Sequence, residues 1–475
     1  MKLLYSLIIV FLFQSLTFAQ QNGPFIKVVR DQAGNDMSGH SLVFDDNGDL
    51  IIGGSVGDDI FLLKMDPDGS IIWQDQFNLT GDVDDLKDLI FYNGSIYGCG
   101  YNKVDNNRAA FVFEYIPGNG VNWLFSPSQG NVEYYFRDIE IDLQSPTPGL
   151  MVYGYCQGSS LTDALILKLD LNGNLIPNTV YRYAATINGN VTSDDWTSAV
   201  YDNGNSYIAG ATIRGVDECF RRITLSKFDH TTNSLTANKF YFENTSNSNR
   251  MYGRDIIKKN NGYAIIGIGT AGWGCAGNSS DRYVGYLTEI DASGTTGIQK
   301  RFVGDAAVGS DLRFFEVVAS GTDNLIILAS FNSISSGLDH ILLSVKKNAS
   351  GDNYIINWAR RYDAGADETF NQNTNGQLVV DDINELAYFV GQSNAYSSQN
   401  SRNDLIIYKA SIKDEDEGII NGLCSQEFII NSYFVDHLES WTLNSMTPFN
   451  WKFKNFTTPA QLNILHQDVC FCEGF

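Results

Sequence analysis

The chain has 475 residues, 43% hydrophobic and 13% aromatic, which excludes wholesale disorder and leaves room for one large repeat array or several small domains. Its 55 acidic residues against 32 basic ones give a formal charge of −23, so neither nucleic acid nor an anionic membrane surface is an expected partner. Forty-four glycines and abundant Asn-Gly and Asp-Gly pairs supply the positive φ that tight hairpins need.

In chain order, Lys2, the apolar run Leu3 to Phe13 and Thr17-Phe18-Ala19 read as a secretory signal peptide over residues 1–19, cut after Ala19. The run is too short for a comfortable membrane span, and no later stretch is long enough. Gln20 rather than Cys follows the cut, against a lipid anchor. A secreted or outer cell-surface protein is expected. Its seven cysteines are an odd number, so at least one stays unpaired within the chain. No CxxC pair exists to suggest structural zinc.

Residues 20–421 carry an internal repeat. Two apolar residues and a small one recur, ending at 53, 98, 154, 210, 267, 329 and 391. A second box follows each, as in Ile60 to Asp66, then a turn such as Pro67-Asp68-Gly69 and a strand such as Ile71-Ile72-Trp73. Each unit opens with a strand that ends at a turn, as Ser41 to Phe44 does before Asp46-Asn47-Gly48. Every repeat thus contains four strands, here a to d. Strand c is apolar at nearly every position, so both its faces are buried. Stacking such sheets radially buries both faces and leaves short edges. The expected fold is all-β: a seven-bladed β-propeller with four-stranded blades. A parallel β-helix is the runner-up, although its coils are usually shorter. The segment Phe25 to Asp31 is expected to supply the missing outer strand of blade seven and close the ring. Residues 422–475 form a short C-terminal extension, whose abrupt finish at Cys472-Glu473-Gly474-Phe475 reads as a truncated end.

The boxes Gly48 to Ser55 and Asp59 to Trp73 resemble the secreted β-propeller repeats of Bacteroidetes-type bacteria, of the SBBP-like kind. The resemblance covers residues 24 to 420 and is sharpest in blade one. It implies location and architecture, with export by the type IX secretion route, and almost nothing about ligand.

Several motifs point to chemistry and are set aside. Gly53-Gly54-Ser55-Val56-Gly57 matches a nucleophile elbow, but a strand rather than a helix follows it. Gly267 to Gly272 matches a dinucleotide fingerprint without the helix that would hold a pyrophosphate. Asp45 to Asp49 and Asp66 to Gly69 suggest calcium loops, yet they have hairpin-turn composition and lack the downstream Glu. No catalytic residue, metal site or cofactor is expected.

One column stands out near the start of strand a: Lys87-Asp88, Arg137-Asp138 and Arg254-Asp255, with Thr197-Ser198 and His40-Ser41 in other blades. It reads either as a ligand-accepting channel mouth or as Asp capping a neighbouring loop's backbone amides, and the second reading is favoured. The d-to-a and b-to-c loops share one face and are long, carrying Trp196, Trp273, Arg214, Tyr252 and Tyr396. Together with Arg254 and Asp255 these are the candidate ligand contacts. Cys219 and Cys275, in equivalent loops of blades four and five, are the candidate disulfide. Cys99 and Cys156 are expected to be buried thiols. The expected function is a non-catalytic binding or scaffold propeller for a glycan or a surface or secreted protein. The alternatives are a polysaccharide-active glycosidase or lyase, with Asp85, Asp195, Asp311 and Glu368 as candidate carboxylates, and a structural module of a larger surface adhesin.

Overall fold

The computed structural model describes residues 24–413 except for loop segments, the longest being 242–250, 272–281, 305–310, 370–375 and 394–401. Beyond these it describes four short strands, and every regular element described is a strand. The signal-peptide reading, Trp273, Tyr396, Cys219 and Cys275 lie outside the described residues.

Seven antiparallel sheets follow one another along the chain. Blade 1 comprises Met37–Phe44, Leu50–Val56, Asp59–Met65 and Ile71–Phe77. Blade 2 comprises Val83–Tyr92, Ser95–Val104, Asn107–Ile116 and Gly120–Phe125, and blade 3 Glu133–Asp142, Gly149–Gln157, Thr162–Asp170 and Tyr181–Tyr183. Blade 4 has Asn190–Asp202, Asn205–Arg214, Arg221–Asp229 and Ser234–Tyr241; blade 5 has Met251–Lys259, Gly262–Ala271, Arg282–Asp291 and Thr296–Gly304. Blade 6 has Asp311–Ser320, Asn324–Ser333, Gly337–Lys347 and Tyr354–Tyr362, and blade 7 has Leu378–Asp381, Leu386–Ser393 and Asp404–Ser411. The inner strands touch in ring order, blade 7 returning to blade 1. This is a seven-bladed β-propeller. Its Asn93-Gly94 and Asn203-Gly204 turns hold both residues at positive φ, as two-residue hairpins require.

The ring is locked as the sequence implies. Phe25–Asp31 forms the outer strand of blade 7, with Phe25 opposite Lys409 and Val29 opposite Leu405. The extension runs outside it: Gln426–Glu427, Ile430–Phe434, Leu438–Ser440 and Ile464–Phe471 add outer strands to blades 6, 5, 4 and 7.

Strand c shows why the blades stack. In Asp59–Met65, Ile60 and Leu62 pack into a core shared with Leu86, Leu89 and Phe111 of blade 2. Phe61 and Leu63 point the other way, into a core with Val390, Leu405 and Ile407 of blade 7. Alternate residues of one strand therefore serve two inter-blade cores. Tryptophans of strand d staple the same seams: Trp73 stacks near Tyr115 of blade 2, and the Trp123 indole N–H donates to the Leu171 carbonyl of blade 3 at 3.0 Å. The motifs set aside above are strand and turn. Ser55 lies inside Leu50–Val56, and Gly267 to Ala271 inside Gly262–Ala271. In the first turn, the Asp45 carboxylate accepts from the amides of Asn47 and Asp49 and pairs with Lys64 at 2.7 Å.

The closing strand buries Phe25, Ile26, Val28 and Val29. At about 1.5–3 kcal/mol per side chain, their loss rivals the net stability of a domain, roughly 5–15 kcal/mol. Deleting residues 24–31 is expected to abolish the cooperative melt seen by circular dichroism and to expose the Leu405–Lys409 edge to aggregation. Val29→Ala should cost about 2 kcal/mol while the fold persists. A deletion variant melting like the parent would contradict closure by this strand.

Candidate functional site

The inner strands meet around the channel, and each presents an edge whose amides have no further strand to pair with. Six of them break register once, at equivalent positions. The extra residues are His40, Lys87, Arg137, Thr197, Arg254 and Phe315. A bulge bends the strand and re-aims a side chain. It also needs space on strand b. A Cβ at Gly54, Gly100, Gly154, Gly210 or Gly267 would overlap the carbonyl oxygen of Ser38, Asp85, Tyr135, Asp195 or Tyr252 respectively. This explains the recurring small residue, and it places Gly54 and Gly100, rather than Gly53 and Gly98, in the column with 154, 210 and 267.

The residue after each bulge clasps the next blade. Asp88 accepts from the Ile139 amide of blade 3 at 3.2 Å, and Asp138 from the Ala199 amide of blade 4 at 2.5 Å. Asp255 accepts from the Val317 amide of blade 6 at 2.8 Å, and Glu316 from the Leu378 amide of blade 7 at 3.0 Å. Ser41 donates to Asp88 at 3.1 Å and Ser198 to Asp255 at 2.7 Å. Gln377 completes the circuit by donating to the Gly39 carbonyl of blade 1 at 3.4 Å. The Asp column thus accepts backbone amides, but those of the next blade's inner strand rather than of a loop, and Asp255 is part of this clasp.

These carboxylates are buried, and that raises their proton affinity. Burial pushes Asp88 up to about 7 and Asp255 to about 6, while burial and the neighbouring carboxylates hold Asp138, Glu140 and Glu316 well above the usual range. The neighbouring Asp88 carboxylate adds to burial in raising the proton affinity of Asp138.

The bulged positions lie on the inner strands near the end where the b-to-c and d-to-a loops join; Phe315 packs into a core there, and the polar ones make other contacts. Lys87 is almost wholly buried, with its ammonium 2.7 Å from Asp85, and burial lowers it to about 8. His40 is buried too; burial holds it near 4 and neutral, with Nδ1 2.7 Å from the Leu86 carbonyl. Arg137 donates to the Tyr155 hydroxyl at 3.2 Å and lies over that ring. Tyr155 stacks on Tyr135 at 4.4 Å between centroids, and Tyr135 meets Tyr101 edge-on at 5.0 Å. Arg108, exposed at the start of strand c, lies over both Tyr101 and Tyr135 and donates to the Tyr135 hydroxyl at 3.0 Å. In the opposite sector, Arg313 lies over Tyr283 at 4.0 Å. Cations and tyrosines thus alternate around the mouth, in contacts that contribute about 0.5–2 kcal/mol each.

The sequence-derived contacts fare unevenly. Trp196 is not an exposed loop residue. It is 1% exposed, on the inner strand of blade 4, within the core of blades 3 and 4. The segment read as a d-to-a loop is strand from Asn190 onward, preceded by a small hairpin with Thr186–Ile187. Arg214 ends strand b of blade 4, opposite Thr192. Tyr252 and Arg254 are half-buried on the inner strand of blade 5, at the mouth. Of the four candidate carboxylates, Asp85 and Asp195 lie two residues ahead of their bulges and Asp311 lies 3.5 Å from Arg313. Glu368 lies in the short strand Glu368–Thr369. Tyr101, Arg108, Tyr135 and Tyr155 escaped the sequence reading. Their signal was register: Tyr101 pairs with Asp85 and Tyr155 with Tyr135, one position beyond the glycines that face the bulges. Cys99 and Cys156 are buried thiols, as expected. Among the described residues, no group of three or more His, Cys, Asp and Glu is placed to hold a metal ion, and no helix is long and apolar enough to cross a membrane.

No protein-family model matches the chain, and no curated protein sequence matches it. Some solved structures are similar to it at very low identity. Drosophila Semaphorin 2a is similar at 8% identity and a TM-score of 0.48, over 81% of this chain and 75% of that one. An endosialidase of phage phi92 is similar at 12% identity and a TM-score of 0.42, over 83% and 70%. A Staphylococcus aureus virginiamycin B lyase is similar at 10% identity and a TM-score of 0.38, over 81% and 99%.

The clasp carboxylates make stability pH-dependent. Their folded pKa values lie above the unfolded ones, so the folded chain binds more protons and its stability falls as pH rises from about 4 through about 7, and further where Asp138 and Glu316 are held higher. His40 and His230 are depressed to about 4 and act in the opposite sense, but only between about 4 and 6.5. The melting temperature is therefore expected to drop from pH 6.5 to 8. Asp138→Asn supplies both a donor for Asp88 and an acceptor for Ala199 without a titrating proton, so it should flatten that drop. Thermal melts at half-unit pH steps check both, and an unchanged slope in the variant would refute a contribution of Asp138 to the drop.

Proposed function

We propose that the chain is a non-catalytic binding propeller that receives a glycan at the channel mouth on the long-loop face. The observation carrying this reading is the row Tyr101, Arg108, Tyr135, Tyr155 at that mouth, in which exposed Arg108 caps a stack of tyrosine rings. Rigid aromatic faces with hydroxyl and guanidinium donors suit the apolar face and hydroxyl rim of a sugar ring. Rows of this kind on a stiff scaffold bind at low entropic cost.

The electrostatics favour binding over chemistry. A glycosidase needs one carboxyl kept protonated beside the substrate and another ionised. At the mouth, burial raises the proton affinity of Asp85, but Lys87 and the Tyr101 hydroxyl outweigh it and hold the carboxylate ionised. Asp88, Asp138, Asp255 and Glu316, whose pKa values are raised, lie in the clasp and are turned to backbone amides. A secreted or cell-surface setting, carried by the N-terminal residues and the repeat resemblance, completes the proposal: a module that displays this mouth to an envelope or extracellular glycan.

A glycan array followed by calorimetry on the best ligand tests it. Tyr101→Ala and Arg108→Ala should each weaken binding about tenfold, with little change in melting temperature for the exposed Arg108. Sustained hydrolysis of any bound glycan, abolished by Asp85→Asn, would replace this reading with an enzyme.

A further inference from the structure

Arg108 lies near the start of strand c of blade 2, and Glu133 starts the inner strand of blade 3. The Tyr135 hydroxyl sits between them. It accepts from the Arg108 guanidinium at 3.0 Å and donates to a Glu133 carboxylate oxygen at 2.5 Å. Tyr135 is 2% exposed, so its hydroxyl needs partners, and these two satisfy it as acceptor and as donor. The two bonds end to end, 3.0 and 2.5 Å, keep the joined nitrogen and oxygen within 5.5 Å of each other, yet the charges do not meet as an ion pair. Among the described residues, Arg108 otherwise touches only the rings of Tyr101 and Tyr135, at 5.4 and 5.3 Å from their centroids, and the Glu133 carboxylate bonds only the Tyr135 hydroxyl. Arg108 is exposed, and Glu133 and Tyr101 are half-buried. A guanidinium has five N–H donors and a carboxylate two oxygens, so most of the donors and one oxygen are left to solvent at this seam.

We propose that this pair recognises two adjacent hydroxyls of a neutral sugar, one accepting from Arg108 and its neighbour donating to Glu133. The inference rests on the glycan-binding reading above and names the ligand's chemical class. A hydroxyl both donates and accepts, so two on neighbouring carbons can serve a donor and an acceptor held a short distance apart. A carboxylate or phosphate ligand would satisfy Arg108 but meet the like charge of Glu133, and an amine would do the reverse. The whole chain, with a formal charge of −23, adds a field against anions that a neutral ligand does not feel. Tyr101 alongside offers apolar surface to the carbons of the ring. Tyr135 is the positioning residue. Each charged group is already bonded to its hydroxyl, which keeps the two from collapsing onto each other.

The experiment sets tetrasaccharides of cellulose, mannan, galactan and xylan against those of polygalacturonate and polymannuronate, by calorimetry on the full chain at about 150 mM salt. The best neutral probe is then remade with each free hydroxyl of its terminal sugar replaced by hydrogen in turn. A neutral probe should bind about tenfold or more tighter than either uronate, and loss of either member of one adjacent hydroxyl pair should weaken it about tenfold. Arg108→Gln and Glu133→Gln should each weaken the parent probe to a similar degree. Loss of one hydroxyl should cost nothing further in Arg108→Gln, and loss of its neighbour nothing further in Glu133→Gln. Tyr135→Phe leaves both charged groups but frees them to pair with each other, so it too should weaken binding while the cooperative melt persists. Tighter binding of a uronate, deoxygenated probes that bind like the parent, or a Glu133→Gln or Tyr135→Phe variant that binds like the unsubstituted chain overturns the inference. If Tyr101→Ala still weakens the bound probe in any of those cases, the broader reading stands. Failure of every probe to bind overturns the inference, and a blank glycan array overturns the broader reading with it.

Discussion

Seven inner strands facing one axis leave seven rows of amides without a strand to receive them. An unpaired buried amide costs about 1–3 kcal/mol, so the ring cannot close unless something else accepts. This chain uses a single device repeatedly: a bulge, then a carboxylate or hydroxyl that reaches the next blade. Asp88 to Ile139, Asp138 to Ala199, Asp255 to Val317 and Glu316 to Leu378 are the same bond in successive seams. The glycines of strand b follow from it, because the carbonyl ahead of the bulge occupies the place of a Cβ.

The mouth is a by-product of the same device. A bulge adds one residue to the strand, and that residue lies near the loop-bearing end. Lys87, Arg137 and Arg254 are therefore aimed by the closure of the ring rather than by the loops above them. This separates the two halves of each basic-acidic dipeptide: the acid turns to the neighbouring blade's amide and the base to the mouth. Rigid inner strands hold such groups more firmly than loops do, which is what a site for a small rigid ligand requires.

The architecture was legible because its causes are local and repeated. Unbroken apolar runs in strand c, Asn-Gly turns and a spare strand at Phe25 each leave a mark in the sequence. The Asp column was legible for the same reason, down to its role as an amide acceptor. The mouth was only half visible. Trp196 looked like a loop residue because Asp194 and Asp195 precede it, yet the strand extends through them and turns the indole into the core. Tyr101, Tyr135 and Tyr155 were hidden because they belong to different strands, and register alone brings them together. A bulge shifts that register by one residue, so a reading without it places neighbours on opposite faces.

Divergence among the blades decides where the charge falls. The bulged position is basic in blades 2, 3 and 5 but neutral elsewhere. Thr197 donates its hydroxyl to the Gly253 carbonyl at 3.0 Å, and Phe315 packs into the core between blades 6 and 7. A cation at every bulge would crowd six like charges around one axis. The neutral Thr197 leaves a gap between Arg137 and Arg254, and Asp195, two residues earlier on the same strand, faces both.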